Sequence, residues 1–163
     1  VITVRADEVA PRPWANGGGR TRELIAGPRG GHWRWRWRLS LAELEADGPF
    51  SSLPGVWRWL ALVEGDAVEL EFDDRVLALQ PGDPPLEFDG ALAPHCRMHG
   101  GRARALNLML RDLHGCLALE RGTAPLQALY EPATRTLFWD LDDTPAAPAG
   151  IWVGIEPGEL RWR

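Results

Sequence analysis

The sequence predicts an all-β fold, an antiparallel barrel or sandwich of short strands, and three observations carry that expectation. Structured segments alternate apolar and polar side chains with period two rather than three or four. They are short and evenly spaced, as the strands of a barrel are. Between them the chain is cut by 14 Pro and 18 Gly.

The first expected strand is Thr21 to Ala26, after the run Asn16-Gly17-Gly18-Gly19. From Trp33 to Leu41 alternation is strict, with Trp33, Trp35, Trp37, Leu39 and Leu41 on one face and Arg34, Arg36, Arg38 and Ser40 on the other. LAELEA, Leu41 to Ala46, is the one stretch that could form a short helix. Breaks at Asp47-Gly48-Pro49 and Pro54-Gly55 lead to Val56–Val63, apolar on both faces except at Arg58, the pattern of a central strand. Glu64-Gly65-Asp66 turns into strands at Ala67 to Phe72 and Arg75 to Leu79, which Asp73-Asp74 separates and Pro81-Gly82-Asp83 closes.

Beyond Glu87-Phe88-Asp89-Gly90, APHCRMHGGR reads as a loop, and strands follow at Arg104 to Arg111 and Cys116 to Glu120. Weaker patterns mark Gln127 to Tyr130, Thr136 to Asp140, Ile151 to Glu156 and Glu159 to Trp162, with a surface loop at Asp142 to Gly150. No repeat and no linker interrupts residues 1–163, so one domain is expected.

A chain of 163 residues, 45% hydrophobic and 25% charged, can bury one sizeable core and is far from the balance that keeps chains disordered. The formal charge of -5 supplies no global field for phosphates, which argues against nucleic acid as a partner. In WRWRWR the Trp and Arg fall on opposite faces of a strand, whereas a base-stacking platform needs both on one, so these Trp read as core. All 18 basic residues are Arg, which excludes lysine nucleophiles and Schiff bases. Cys96 and Cys116 are too few for a secreted disulfide framework and read as two free, mostly buried thiols, with a single bridge between them as the open alternative. VITVRADEVA holds no long apolar run and no window spans a bilayer, so a cytoplasmic protein without membrane partners is expected.

VEGDAVELEFDDRVLALQPGD resembles the core of a cupin, two strands and a Pro-Gly-Asp turn that redirects the chain between sheets. Further segments resemble the HutD/Ves family: Trp14-Ala15-Asn16-Gly17-Gly18-Gly19 with Thr21 and Glu23, then Trp37 to Ala42, then Asp47-Gly48-Pro49-Phe50-Ser51, Pro54-Gly55 and Arg58, and finally Leu106-Asn107-Leu108-Met109. The resemblance covers roughly residues 3 to 120. It implies a cupin-like antiparallel β-barrel, a double-stranded β-helix, with a second cupin-like β unit packed against it as an open alternative. One departure is Ala105, where the family usually carries an acidic residue.

Three groups are candidates for a ligand site. Asn16, Gly17 and Gly18 could form a rim loop whose bare backbone approaches a ligand, or a plain turn before the first strand. Arg38, Ser40 and Arg58 lie on strands that the cupin reading brings together. Arg58 sits inside an apolar run and needs a partner, either a structural carboxylate or an anionic ligand. Its guanidinium fork matches a carboxylate, so the ligand reading implies a small carboxylic acid. Asn107, with Met109, alternates with apolar Leu106 and Leu108. The resemblance adds Thr21, Glu23, Phe50 and Ser51 to the ligand-binding set.

Neither a metal nor another cofactor is expected. Metal-binding cupins use two closely spaced His, a Glu and a later His, and the cupin-like strand pair Arg58 to Phe72 has no His. His95, Cys96 and His99 fall in the expected loop, where their spacing carries no helical meaning. The expected function is a metal-independent binding module for a small carboxylate, with urocanate or N-formylglutamate as first candidates, in a regulatory role that the resemblance links to histidine utilisation. The alternative is a metal-free isomerase, hydrolase or lyase with Glu23 as base; a third reading is a protein-interaction surface of exposed Trp. A homodimer is left open.

Overall fold

The computed structural model describes residues 2–27, 35–139 and 149–156. Expectations for Trp33, Arg34 and Asp140, for the strand at Glu159 to Trp162 and for most of the 142–150 loop lie outside the described residues.

Fifteen strands and one 3-10 turn, Ala6–Glu8, make up the described elements. The first strands are β1 (Ile2–Arg5), β2 (Arg12–Pro13), β3 (Gly19–Gly27), β4 (Trp37–Leu44) and β5 (Gly48–Pro49). There follow β6 (Trp57–Gly65), β7 (Val68–Glu71), β8 (Val76–Leu79), β9 (Leu86–Asp89) and β10 (His95–Met98). The last are β11 (Ala103–Leu110), β12 (His114–Ala118), β13 (Leu126–Glu131), β14 (Thr136–Trp139) and β15 (Ile151–Glu156). Among the described residues every strand pairing is antiparallel. None of their helical turns is long and apolar enough to cross a membrane.

A six-stranded sheet in the order β2-β3-β4-β11-β6-β9 forms the middle layer. One of its faces packs on the five-stranded sheet β1-β14-β13-β15-β12 through Trp37, Leu39, Leu41, Leu106, Leu108, Tyr130, Leu137 and Val153. The other packs on the four-stranded sheet β5-β10-β7-β8 through Ala42, Leu44, Leu60, Leu62, Val68, Leu70 and Phe88. This explains the sequence pattern of the central strands. β6 is apolar on both sides because each side meets a different core, and each fully buried Leu contributes about 1.5–3 kcal/mol.

Three sequence expectations are corrected. LAELEA is not a helix: its first four residues complete β4, bonded to β3 and β11, and tertiary pairing overrides the local helix propensity. APHCRMHGGR is not a loop: β10 pairs with β7 and β5, with Cys96 buried between exposed His95 and Arg97. Trp35 and Arg36, expected within the strand that ends at Leu41, precede β4, which begins at Trp37, and Trp35 stands against Arg111, whose Cζ is 4.4 Å from the ring centroid. β9, which the sequence did not predict, is an edge strand paired with β6 that buries Phe88. The short strands β1, β2 and β5 also exceed what alternation could reveal, since two to four residues give no period.

Both cysteines are free thiols, Cys96 buried and Cys116 half-buried. Burial, with the Asp47 charge beside it, pushes the Cys96 thiol up to about 11, so it is an inert core residue. Ala105 is fully buried in the second core, in register with Ala42 and Leu62.

Candidate functional site

The strands β4, β11 and β6 run side by side, and their register places polar residues in two rows on the face toward the four-stranded sheet. Met109 pairs with Arg38 on one side and Arg58 on the other. In the next row on that face, Asn107 pairs with Ser40 and Leu60. Side chains two apart share a face of a strand, so four polar groups converge where the apolar core stops.

Above these rows lies a cavity of about 440 Å³. Asn16, Thr21, Arg38, Ser40, Phe50, Ser51, Arg58 and Asn107 all line it. Gly17, Gly18 and Glu23 do not. The glycine run is a turn: Gly17 takes φ 74°, and the Gly18 amide donates to Oδ1 of Asn16 at 2.9 Å. Gly19 is required where β3 meets β4, since a Cβ there would fall 2.2 Å from the Glu43 carbonyl oxygen. Glu23 instead pairs with Arg38, Nε to Oε1 at 3.1 Å, with its side chain 45% exposed.

Sequence reasoning missed Arg12, Pro13, Trp14, Ala15, Ala42, Pro49 and Leu53 as lining residues. Trp14 and Pro49 lay inside quoted motifs, and their positions could have been added from them. Arg12 and Pro13 carried no local signal; they reach the cavity because β2 folds back on Thr21 and Arg20. Trp14 is fixed there by its indole Nε1, which donates to Oγ1 of Thr21 at 2.7 Å.

Arg58 is the floor of the site. It is 5% exposed, donates from Nη2 to Oδ1 of Asn107 at 2.8 Å, and lies over the rings of Phe50 and Phe88. Among the described residues no carboxylate lies within 4.0 Å of it, and its buried Nε has no hydrogen-bond partner. Burial lowers its pKa to about 10, which leaves it cationic at neutral pH. The site can therefore offer several N–H donors and a charge to an anion without first breaking an ion pair.

Among the described residues no group of three or more His, Cys, Asp or Glu could hold an ion. His95 and Cys96 project to opposite faces of β10, and His99, just past that strand, pairs with Glu69 at 3.1 Å.

The family model described as HutD matches residues 6–146. An uncharacterised 21.2 kDa protein in the hutC 3′ region of Pseudomonas putida is 35% identical over 115 residues, which are 65% of this chain and 56% of that protein. Protein Ves of Escherichia fergusonii is 31% identical over 102 residues, 60% of this chain and 51% of Ves. The chain thus spans about half the length of these curated relatives. The structure of HutD from Pseudomonas fluorescens SBW25, in a formate condition, superposes with TM-score 0.78 at 26% identity, covering 94% of this chain and 93% of that one. The cupin domain of Cnp3 from Schizosaccharomyces pombe superposes with TM-score 0.50 at 9% identity over 66% and 67% of the two chains, a likeness of fold alone.

Proposed function

This chain belongs to the HutD family, and from that premise we propose that its cavity is a metal-independent binding site for a small carboxylate. The observation that carries the reading is Arg58: a buried cation, facing a cavity, with an unbonded Nε and no carboxylate beside it among the described residues. Taking a guanidinium out of water is costly unless a partner completes it, and a carboxylate fits its planar fork with two charge-assisted hydrogen bonds. Asn107 and Ser40 lie in the adjacent row to read further polar atoms, and Asn16 and Thr21 do so from the rim.

The location of one relative in the hutC 3′ region supports a link to histidine utilisation, in which we infer a regulatory role, so urocanate and N-formylglutamate are the first ligands to try. The test is a thermal melt with each acid and with glutamate. A ligand at a hundred times its dissociation constant stabilises the fold by about 2.7 kcal/mol, and the midpoint then moves with concentration. A midpoint unmoved by every acid would count against the reading.

A further inference from the structure

A buried guanidinium that is to receive an anion needs something to fix its plane without consuming its donors. The Cζ of Arg58 lies 5.2 Å from the centroid of Phe50 and 5.1 Å from that of Phe88. An aromatic ring attracts a cation through its quadrupole and takes up no N–H, whereas a carboxylate partner would occupy the in-plane donors themselves. Only one donor is committed to a described residue, Nη2 to Asn107.

The two rings differ in their surroundings. Phe88 is 2% exposed and packs edge-on against Phe72 at 5.3 Å, as part of the second core. Phe50 is half-buried and lines the cavity from the segment after β5. Its backbone N–H donates to the Pro94 carbonyl at 2.9 Å, and its ring meets Trp14 edge-on at 6.4 Å and 81°. Trp14 belongs to the opposite rim, where Thr21 fixes it. One side chain therefore touches both the cation of the floor and the far wall of the mouth.

We propose that Phe50 is a positioning residue of the anion site: braced by Trp14, its ring holds the Arg58 guanidinium in place and leaves the in-plane donors to the ligand. The inference rests on the reading of Arg58 as the anion anchor.

The test compares wild type, Phe50→Leu and Phe50→Tyr, with urea melts to establish that all three fold. Two quantities are measured on each: the rotation rate of the Arg58 guanidinium in ligand-free protein, from its side-chain ¹⁵N resonances, and the affinity for N-formylglutamate by calorimetry. Expected are faster rotation and roughly 3- to 30-fold weaker binding in Phe50→Leu, with Phe50→Tyr close to wild type in both. Rotation unchanged in Phe50→Leu, or a Tyr variant as impaired as the Leu variant, overturns the proposal. If the wild type binds no acid while the rotation still separates Leu from Tyr, the positioning role stands and the carboxylate reading falls.

Discussion

Arg58 donates to the side-chain oxygen of Asn107 at 2.8 Å, diagonally across two adjacent central strands, and both residues are buried. A neutral amide thus occupies the place where a buried cation commonly finds a carboxylate. It satisfies one donor and cancels no charge, so the pair is poised for an anion from outside rather than closed on itself.

Removing the cation should therefore cost the fold little. Arg58→Met is expected to melt in urea within about 1 kcal/mol of wild type, or above it, because a buried unpaired charge is exchanged for an apolar chain of similar length. The same variant should bind no carboxylate. Arg58→Lys keeps the charge and loses the planar fork, and its affinity should fall on the order of tenfold. A loss of about 3–5 kcal/mol in Arg58→Met would instead indicate a structural ion pair.

Asn107→Asp puts a carboxylate where the amide oxygen now accepts from Arg58. The internal anion competes with the ligand, so affinity for N-formylglutamate should drop by at least about tenfold, the value of one charge-assisted hydrogen bond. Calorimetry on folded protein checks this, and undiminished binding would remove Arg58 from the site.

Charge at the mouth should favour a second carboxylate on the ligand. Arg12, Arg38 and Arg58 all line the cavity, and Glu23 offsets only Arg38. Because Arg38 and Arg58 flank Met109, their backbones are about 10 Å apart, two strand spacings, a span that a five-carbon diacid bridges with the help of the side chains. Glutarate should therefore bind more tightly than butyrate, with the difference shrinking as salt is raised, since the outer charges are screened first. Equal affinity for the two acids would confine recognition to Arg58.

Away from the cavity, Glu43 ties β4 to β3. Its carboxylate receives Arg22 Nε and Arg20 Nη2, each at 2.7 Å, and lies 3.8 Å from Arg104. Burial alone would push this carboxyl up, but the hydrogen bond and charge of Arg22, with Arg104 and Arg20, hold it below its usual value. A depressed folded pKa contributes stability that is present above the ordinary carboxyl value and is lost as pH falls through the folded one. Glu43→Gln should cost about 1.5–3 kcal/mol at pH 7, the worth of hydrogen bonds to a charged group, and the gap to wild type should narrow in urea melts as pH falls below the ordinary carboxyl value. A gap that stays constant with pH would show the loss to be packing alone.

Metal dependence is expected to be nil. His95 and His99 are four positions apart on an extended segment, about 13 Å, and Cys96 faces the core between them. Elemental analysis of protein purified without added metal should find no stoichiometric Zn, Fe, Mn or Ni, and chelator should leave the melting midpoint unchanged. One equivalent held tightly would overturn this.

Much of the architecture was legible in residue order alone. Strict alternation exposed β4, and the doubly apolar run of β6 announced a strand covered on both faces, because a side-chain period of two records which faces are buried. The same logic singled out Arg58 as a cation among core residues. What order could not supply was pairing. β10 was hidden because four residues are too few to establish a period, and Arg12 and Trp14 reach the cavity only because β2 folds back on β3. Nor could sequence choose between a carboxylate and an amide as the partner of Arg58. That depended on register, which sets Met109 beside Arg58 and brings Asn107, from the next row, within 2.8 Å, and register is fixed by long-range hydrogen bonds that no local pattern encodes.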